Sequence, residues 1–250
     1  MLTDRLLASY FGSVSDALRT SNRQFGRALE NFFATVAVRL TLARDARREV
    51  NTYLAADFNV FSYIDPDETC LSNLIAELLS PTGQHGQGDV FLRLFATQLG
   101  CEVWRQGEIP KVLREEPVTY PPGSFGFLDI VIETTSFGIG IENKPFADEQ
   151  PEQLRRYKSH LEHKYPHGFC LVYLSGRGTH PVTLSTEEQQ SLGIAGRFRM
   201  LTYRVGLVQW LRECQKECKA DKIRWLLRDF AAYVTATFDE DDLISGVGDD

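Results

Sequence analysis

The sequence predicts a mixed α/β (α+β) fold, in which helices pack on a sheet of parallel and antiparallel strands. Two observations predict it. Apolar residues recur at helical spacing over the first 57 residues and again over residues 68–79, whereas residues 101–144 contain short segments rich in β-branched and aromatic residues. Residues 169–175 form one more apolar, strand-like segment with helical patterns on both sides. Helices that precede, interrupt and follow strands indicate a layered sandwich.

The composition is that of a globular protein, and we expect it to be cytoplasmic. The chain has 250 residues, of which 43% are apolar and 24% charged, enough to bury a sizeable core. It has no apolar run of the ~18 residues that a membrane span needs, no pattern of a secretion signal, and five cysteines without framework spacing. The net charge of −7 argues against non-specific coating of nucleic acid but allows a local basic groove.

The first 57 residues are predicted to be a helical extension. Large apolar side chains recur there at spacings of three, four and one, namely Phe25, Leu29, Phe32, Phe33, Val36 and Leu40. Three roles stay open for this extension: a specificity element, a homodimer interface, or a dock for a protein partner. Residues 58–238 are expected to form the main domain. The acidic residues 239–250 are expected to be a solvated, disordered tail.

Within the main domain, the first helix is predicted from about Glu68 to Leu79, where Ser80-Pro81-Thr82-Gly83 ends it. The predicted strands cover residues 101–109, 112–118, 125–134, 137–144, 169–175 and 197–203. The further predicted helices cover residues 90–98, 151–164, 205–218 and 222–238. Pro151 suits the first turn of its helix.

The strands 125–134 and 137–144 are predicted to form a hairpin that brings charged residues together. Side chains alternate across a strand, so Leu128, Ile130 and Ile132 should share one face and Asp129 the other. By the same alternation, Glu142 and Lys144 point the same way. Asp129 can join them if the two strands pair.

Two carboxylates and an ammonium group on one sheet face suit a particular chemistry. Converging carboxylates bind Mg²⁺ or Mn²⁺, which prefer oxygen ligands. Such a metal acidifies a bound water and neutralises charge on phosphate, while the adjacent ammonium can orient that water or hold the phosphate. The pattern of Asp129, Glu142 and Lys144 therefore predicts metal-dependent hydrolysis of phosphodiester bonds.

Helices on either side of the hairpin offer further polar groups. On a helical wheel, Glu68 lies roughly 50° from the centre of the apolar stripe and Glu77 roughly 130° from it. Glu68 is therefore the better candidate for a third carboxylate over the sheet. In the helix after the hairpin, Gln153 and Tyr157 share a face, and Gln153 can reach the metal-bound water or the scissile phosphate.

These residues resemble the PD-(D/E)XK nuclease superfamily. The resemblance covers roughly residues 58–235. The motifs of the superfamily are Asp129, Glu142-Asn143-Lys144 and Gln153-Leu154-x-x-Tyr157. Further motifs resemble a bacterial branch of it, namely Asn59-Val60-Phe61, Glu68, Leu78-Leu79-Ser80-Pro81 and His85-Gly86-x-Gly88-Asp89-x-Phe91. It implies a restriction-endonuclease-like αβββαβ core and Mg²⁺-dependent hydrolysis of DNA in restriction, repair or defence. Leu128 stands where the motif's name has proline.

Carried over by the resemblance, Asp129 and Glu142 would be metal ligands and Lys144 the catalytic lysine. Glu68 would be the acidic residue of the first helix, also a metal ligand, and Gln153 the auxiliary polar residue. Candidates for substrate contact are His85, Tyr157, Arg155 and Arg156. Two alternative interpretations stay open: that His85 fixes its loop, and that the basic cluster of Arg155, Arg156, Lys158 and Lys164 is a solvated helix face.

Two alternatives to a DNA nuclease stay open. One is a catalytically silent module that binds nucleic acid or protein on the same fold. The other is a different metal-dependent phosphoesterase that acts on RNA or a nucleotide. The sequence does not distinguish an endonuclease from an exonuclease.

Overall fold

A computed structural model describes residues 2–101, 108–123, 125–135, 137–147 and 149–238. The chain divides into two compact units, one ending at Phe58 and the other beginning at Asn59. The first unit is built on one long helix, α1 (Leu2–Leu54). Large apolar side chains along α1 lie in solvent, and Phe25 is 69% exposed.

The second unit is centred on a five-stranded sheet, which is mixed, as predicted. Its strands are β1 (Lys111–Pro117), β2 (Phe127–Glu133), β3 (Gly138–Lys144), β4 (Phe169–Ser175) and β5 (Phe198–Thr202), arranged in that order. The first three form an antiparallel meander, and β3, β4 and β5 run parallel. The predicted fold class is confirmed.

Helices cover both faces of this sheet. They are α2 (Phe61–Ile64), α3 (Glu68–Leu79), α4 (Val90–Leu99), α5 (Gln153–Lys164), α6 (Thr186–Ile194), α7 (Val208–Glu217) and α8 (Asp221–Thr237), and a π-helical turn (Tyr203–Leu207) precedes α7. None of the helices in the described ranges is long and apolar enough to cross a membrane. Of the strand predicted at 101–109, residues 102–107 lie outside the described residues, as does the predicted tail.

Two apolar clusters hold the helices against the sheet. On one face, Ile130, Ile141 and their neighbours pack with α3, α4, α7 and α8. On the other face, Val131 packs with α5. The bare backbone of β3 lets α5 approach closely, because a Cβ added at Gly138 would lie 2.3 Å from the Tyr165 ring.

Strand β2 breaks its alternation at Asp129. Leu128 was predicted to share a face with Ile130 and Ile132, and that prediction is wrong: Leu128 packs with the α5 cluster, whereas Ile130 and Ile132 pack on the opposite face. The cause lies in β1, where Glu115 has a φ of 52° and interrupts regular pairing opposite Asp129. The alternation of β2 therefore changes at Asp129, the residue that bears the carboxylate.

Candidate active site

The site lies where β2 and β3 separate. Their last cross-strand pair is Ile130–Ile141. Beyond it, the Asn143 N–H donates to the Asp129 carboxylate at 2.7 Å, in place of a backbone hydrogen bond between the strands. Asp129 and Glu142 thus leave the sheet side by side. This point of separation, the fork of β2 and β3, explains how two strands that pair regularly elsewhere present two acidic side chains together.

Asn143 anchors the fork from the opposite face of β3. Its side chain is fully buried, donates to Ser72 Oγ at 2.8 Å, and accepts from the Tyr203 hydroxyl at 2.7 Å. These bonds tie β3 to α3 and to the π-helical turn. Sequence reasoning missed this role, although an Asn that follows Ile139 and Ile141 on the apolar face signals a buried, hydrogen-bonded amide.

Glu142 is the most deeply buried acidic group of the site, with 1% of the residue exposed. Its Oε1 lies 2.9 Å from Lys144 Nζ and accepts a hydrogen bond of 2.8 Å from Gln153 Nε2. Its Oε2 is also buried and receives no hydrogen bond from any described residue. A buried carboxylate oxygen without a donor is costly unless a cation satisfies it.

Lys144 bridges two carboxylates. Besides Glu142, its Nζ contacts Glu68 Oε1 at 3.0 Å. Glu68 is the first residue of α3, where the N-cap Asp67 accepts the N–H of Cys70 at 2.7 Å and fixes the start of the helix. Glu68 therefore leans over the sheet as predicted, but it meets the lysine. The ranges described contain no group of three or more His, Cys, Asp or Glu residues arranged to hold a metal.

Burial is the largest single influence on the pKa of each of the three charged groups. It raises the pKa of the Glu142 carboxyl well above its usual range; the Asp129 charge adds to this, and the Lys144 ammonium opposes it. Burial also raises the pKa of Asp129, against the effect of the Asn143 N–H. Burial lowers the pKa of Lys144, but the Glu142 and Glu68 carboxylates outweigh it, so this pKa is raised and the amine stays charged.

The donor set fits a hard divalent cation. Asp129 and Glu142 supply carboxylate oxygens, one of which, Glu142 Oε2, is buried without a donor. Burial raises the pKa values of both acids, so keeping them ionised is unfavourable unless a cation lies close to them. Mg²⁺ and Mn²⁺ prefer such oxygen ligands.

The predicted auxiliary residue Gln153 holds Glu142 in place. Its Nε2 contacts both Glu142 and the Tyr157 hydroxyl, at 2.8 and 3.1 Å, and its Oε1 accepts the N–H of Gln150 at 3.0 Å. The Tyr157 hydroxyl donates to the Phe127 carbonyl at 2.8 Å. The pKa of Tyr157 is raised to about 12, mainly by burial and secondly by the Glu142 charge, so the hydroxyl is neutral.

The other candidates for substrate contact are engaged elsewhere. His85 is 5% exposed, its Nε2 lies 2.9 Å from the Ser80 carbonyl oxygen, and its Nδ1 accepts the N–H of Gln87. This favours the interpretation that His85 fixes its loop. Arg155 pairs with Glu152 and Glu188. Arg156, Lys158 and Lys164 bind the Pro151 carbonyl, Glu162 and Glu116, respectively.

Comparison with known families shows which superfamily the chain belongs to. A sequence model of the PD-(D/E)XK nuclease superfamily matches residues 58–232. The chain belongs to the PD-(D/E)XK nuclease superfamily. No curated protein and no solved structure gives a significant match. As a member of this superfamily, the chain has the nuclease fold, and its Asp129, Glu142 and Lys144 lie together at the fork of β2 and β3.

Proposed function

We propose that this protein is a metal-dependent deoxyribonuclease in which Asp129 and Glu142 bind Mg²⁺ or Mn²⁺. The observation that supports it best is the buried, donor-free Oε2 of Glu142, next to Asp129 and on a side chain that contacts the Lys144 ammonium at 2.9 Å. A pocket of this kind attracts a cation and an anionic substrate to adjacent points.

Each residue has a role that follows from its contacts. When bound, the metal ion would supply Lewis acidity, polarising the phosphate and lowering the pKa of a water. Lys144 keeps its proton, so it acts as a fixed positive charge for a phosphate oxygen or for the attacking water. Glu68 positions the Lys144 amine, and Gln153 positions the Glu142 carboxylate.

The direct test is cleavage of supercoiled plasmid DNA by purified protein in Mg²⁺ or Mn²⁺. The wild type should nick or degrade it, EDTA should stop the reaction, and Asp129→Ala and Lys144→Ala should abolish it. Lys216→Ala, which removes an exposed ammonium paired with Glu213 on α7, is the matched control and should cleave normally. Equal cleavage by the wild type and both site variants would refute the proposal.

The same assay separates the finer alternatives. An endonuclease cuts closed circular DNA, whereas an exonuclease needs a free end, so circular and linear forms of one plasmid distinguish them. RNA and dinucleotide substrates test for a phosphoesterase of different specificity. We propose that such an activity serves in restriction, repair or defence.

A catalytically silent module on the same fold has one observation in its favour. The Lys144 ammonium contacts both Glu142 and Glu68, so it already neutralises part of the negative charge that would attract a metal ion. Calorimetric titration with Mn²⁺ discriminates the two functions. A nuclease should bind Mn²⁺ and lose that binding in Asp129→Ala, whereas a silent module should show no specific uptake.

The proposed partners are DNA and, through α1, a second copy of the chain or another protein. The exposed apolar side chains of α1 support a protein contact, because large exposed apolar patches commonly mark interfaces. We propose a cytoplasmic location, where the five free cysteines would stay reduced.

A further inference from the structure

Two phenylalanine rings lie in solvent next to the candidate active site. Phe125 is 80% exposed and Phe127 50% exposed, and their rings meet edge to face with centroids 6.0 Å apart. Phe127 begins β2, two residues before Asp129, on the part of the strand that extends past its last pair with β3. Single exposed apolar residues are common, but two adjacent aromatic rings beside a reactive centre form a patch.

The backbone under these rings is fixed. Gly126 has a φ of 147°, and a Cβ there would lie 3.3 Å from Tyr157, so the chain passes close against that ring. The Gly126 carbonyl accepts the N–H of Val118 at 2.9 Å, and the Phe127 carbonyl accepts the Tyr157 hydroxyl at 2.8 Å. Hydrogen bonds thus hold both peptide groups in place, while both phenylalanine side chains are exposed to solvent.

The same bonds connect the rings to the site. The Tyr157 hydroxyl accepts from Gln153 Nε2, which also donates to Glu142 Oε1. Three hydrogen bonds therefore lead from the Phe127 backbone to the buried carboxylate. Anything held on the rings would be held at a defined position relative to Glu142.

Charge indicates what the rings can hold. Residues 59–238 contain 19 Lys and Arg against 22 Asp and Glu, and the basic side chains of α5 are already engaged by carboxylates or carbonyls. Binding a duplex through its phosphates needs many available cations. Stacking of bases on aromatic rings contributes affinity that does not depend on cations. It requires that the bases be unpaired.

We propose that Phe125 and Phe127 form a stacking platform for unpaired nucleobases, so that the preferred substrate is single-stranded nucleic acid or an unpaired end. The platform rests on the proposed nuclease function, because it delivers a strand to that site. Stacking reads the faces of bases, so sequence selectivity at the platform is weak. DNA and RNA share this chemistry, and the test distinguishes them.

Binding is measured first, in EDTA, where the proposed metal-dependent cleavage does not interfere. The probes are a 20-mer DNA strand containing 2-aminopurine, whose fluorescence falls on stacking, its RNA counterpart, and the DNA probe annealed to its complement. The single-stranded DNA or RNA should be quenched and bound more tightly than the duplex. Phe127→Leu, which keeps an apolar side chain but removes the ring, should weaken binding roughly 5- to 150-fold per lost base contact.

Two further variants separate stacking from folding. Phe127→Tyr keeps a ring and should retain quenching, and Phe125→Leu should act like Phe127→Leu. Trp225→Leu removes an exposed ring on α8 and should change nothing. Equal affinity for strand and duplex, or a Phe127→Leu variant that binds like the wild type, would overturn the platform.

Cleavage is then compared in Mn²⁺ on the same strand and duplex. Faster cleavage of the strand, lowered by Phe127→Leu, supports the platform. Equal rates on strand and duplex overturn it. If the wild type cuts nothing, the proposed nuclease function fails, and the quenching result in EDTA still decides the platform by itself.

Discussion

At the scale of single residues, Glu142 sets the behaviour of the site. Its carboxylate is buried beside Asp129, and one of its oxygens has no donor among the described residues. Ionising this carboxyl inside the folded protein is therefore unfavourable, and the Lys144 ammonium offsets only part of the effect of burial. Arrangements of this kind are common at functional sites, where the missing partner is a ligand.

The first prediction concerns stability and pH. Because the pKa values of Glu142 and Asp129 are raised in the folded state, that state binds more protons than the unfolded chain above the ordinary carboxyl pKa. These two groups therefore lower the free energy of unfolding as the pH rises from the ordinary pKa through the raised ones. Chemical denaturation in EDTA between about pH 4.5 and about pH 8 measures the slope.

Added Mn²⁺ should oppose that loss, because a metal binds the ionised carboxylates and only in the folded state. Glu142→Gln should flatten the slope, since it removes the larger contribution. Glu213→Gln, at an exposed position on α7, is the control and should keep it. A wild-type slope no steeper than that of Glu142→Gln would contradict the prediction.

The second prediction separates metal binding from catalysis at Lys144. The ammonium, 2.9 Å from Glu142, competes with a metal for the same negative charge. Lys144→Met should therefore bind Mn²⁺ at least as tightly as the wild type, while the cleavage rate falls by about 10²–10³-fold as a fixed transition-state charge is lost. Calorimetry measures the Mn²⁺ affinity, and single-turnover kinetics measure the cleavage rate. A large loss of Mn²⁺ affinity would show that Lys144 instead maintains the geometry of the metal ligands.

At the scale of elements, the glycines of β3 determine how closely α5 packs. A Cβ at Gly138 would lie 2.3 Å from the Tyr165 ring, and the backbone beneath that ring cannot retreat within a five-stranded sheet. We predict that Gly138→Ala lowers the free energy of unfolding by about 1–3 kcal/mol through overpacking. Denaturant unfolding followed by circular dichroism measures this change.

Gly193 provides the matched control. It lies in α6, where an added Cβ meets nothing within 4 Å. Gly193→Ala should leave stability unchanged or raise it by up to about 1 kcal/mol, because alanine favours a helix. Similar losses in both variants would show that the effect at Gly138 comes from the backbone and not from contact with Tyr165.

The elements also show what sequence reasoning could and could not reach. The β2–β3 hairpin and β4 were predictable because their apolar runs are short and bounded by turn residues, and α3 because a cap and an apolar stripe mark it. Helix α6 was missed because it buries no side chain, so no periodic pattern reveals it. Its Ser185–Glu188 capping box was the available signal.

The site was predictable to a similar degree. Alternation along β3 correctly placed Glu142 beside Lys144. It failed at Leu128, because the pairing of β2 is interrupted opposite Glu115, and the sequence of β2 gives no sign of an irregular residue on a different strand. The contact of Glu68 with Lys144 depends on the positions of α3 and β3 in space, so sequence spacing gave only the direction in which Glu68 points.

At the scale of the whole molecule, charge and apolar surface are unevenly distributed. The first 58 residues contain eight arginines and six carboxylates, whereas the chain as a whole has a net charge of −7. The large apolar side chains of α1 recur at helical period on one face and are exposed, as Leu18, Phe25, Leu29, Phe32 and Leu40 show. A helix of this length derives its stability mainly from burial of such a face.

The last prediction is that the apolar face of α1 pairs with the same face of a second copy. From Leu18 to Leu54 the helix extends about 55 Å, long enough for a two-helix interface, and self-pairing would leave most arginines toward solvent. Sedimentation velocity at micromolar concentration should show a dimer for the full chain and a monomer for the chain lacking residues 1–54. Phe25→Glu with Phe32→Glu should also give a monomer, because it places charges in the interface.

Arg23→Glu is the control for that substitution. Arg23 lies about 160° around the helix from Phe25, so a charge change there alters the polar face alone and should leave the dimer intact. A full chain that stays monomeric up to high concentration would assign the apolar face to a different protein. Dissociation by Arg23→Glu as strongly as by the double substitution would show that net charge, and not burial of the phenylalanines, holds the copies together.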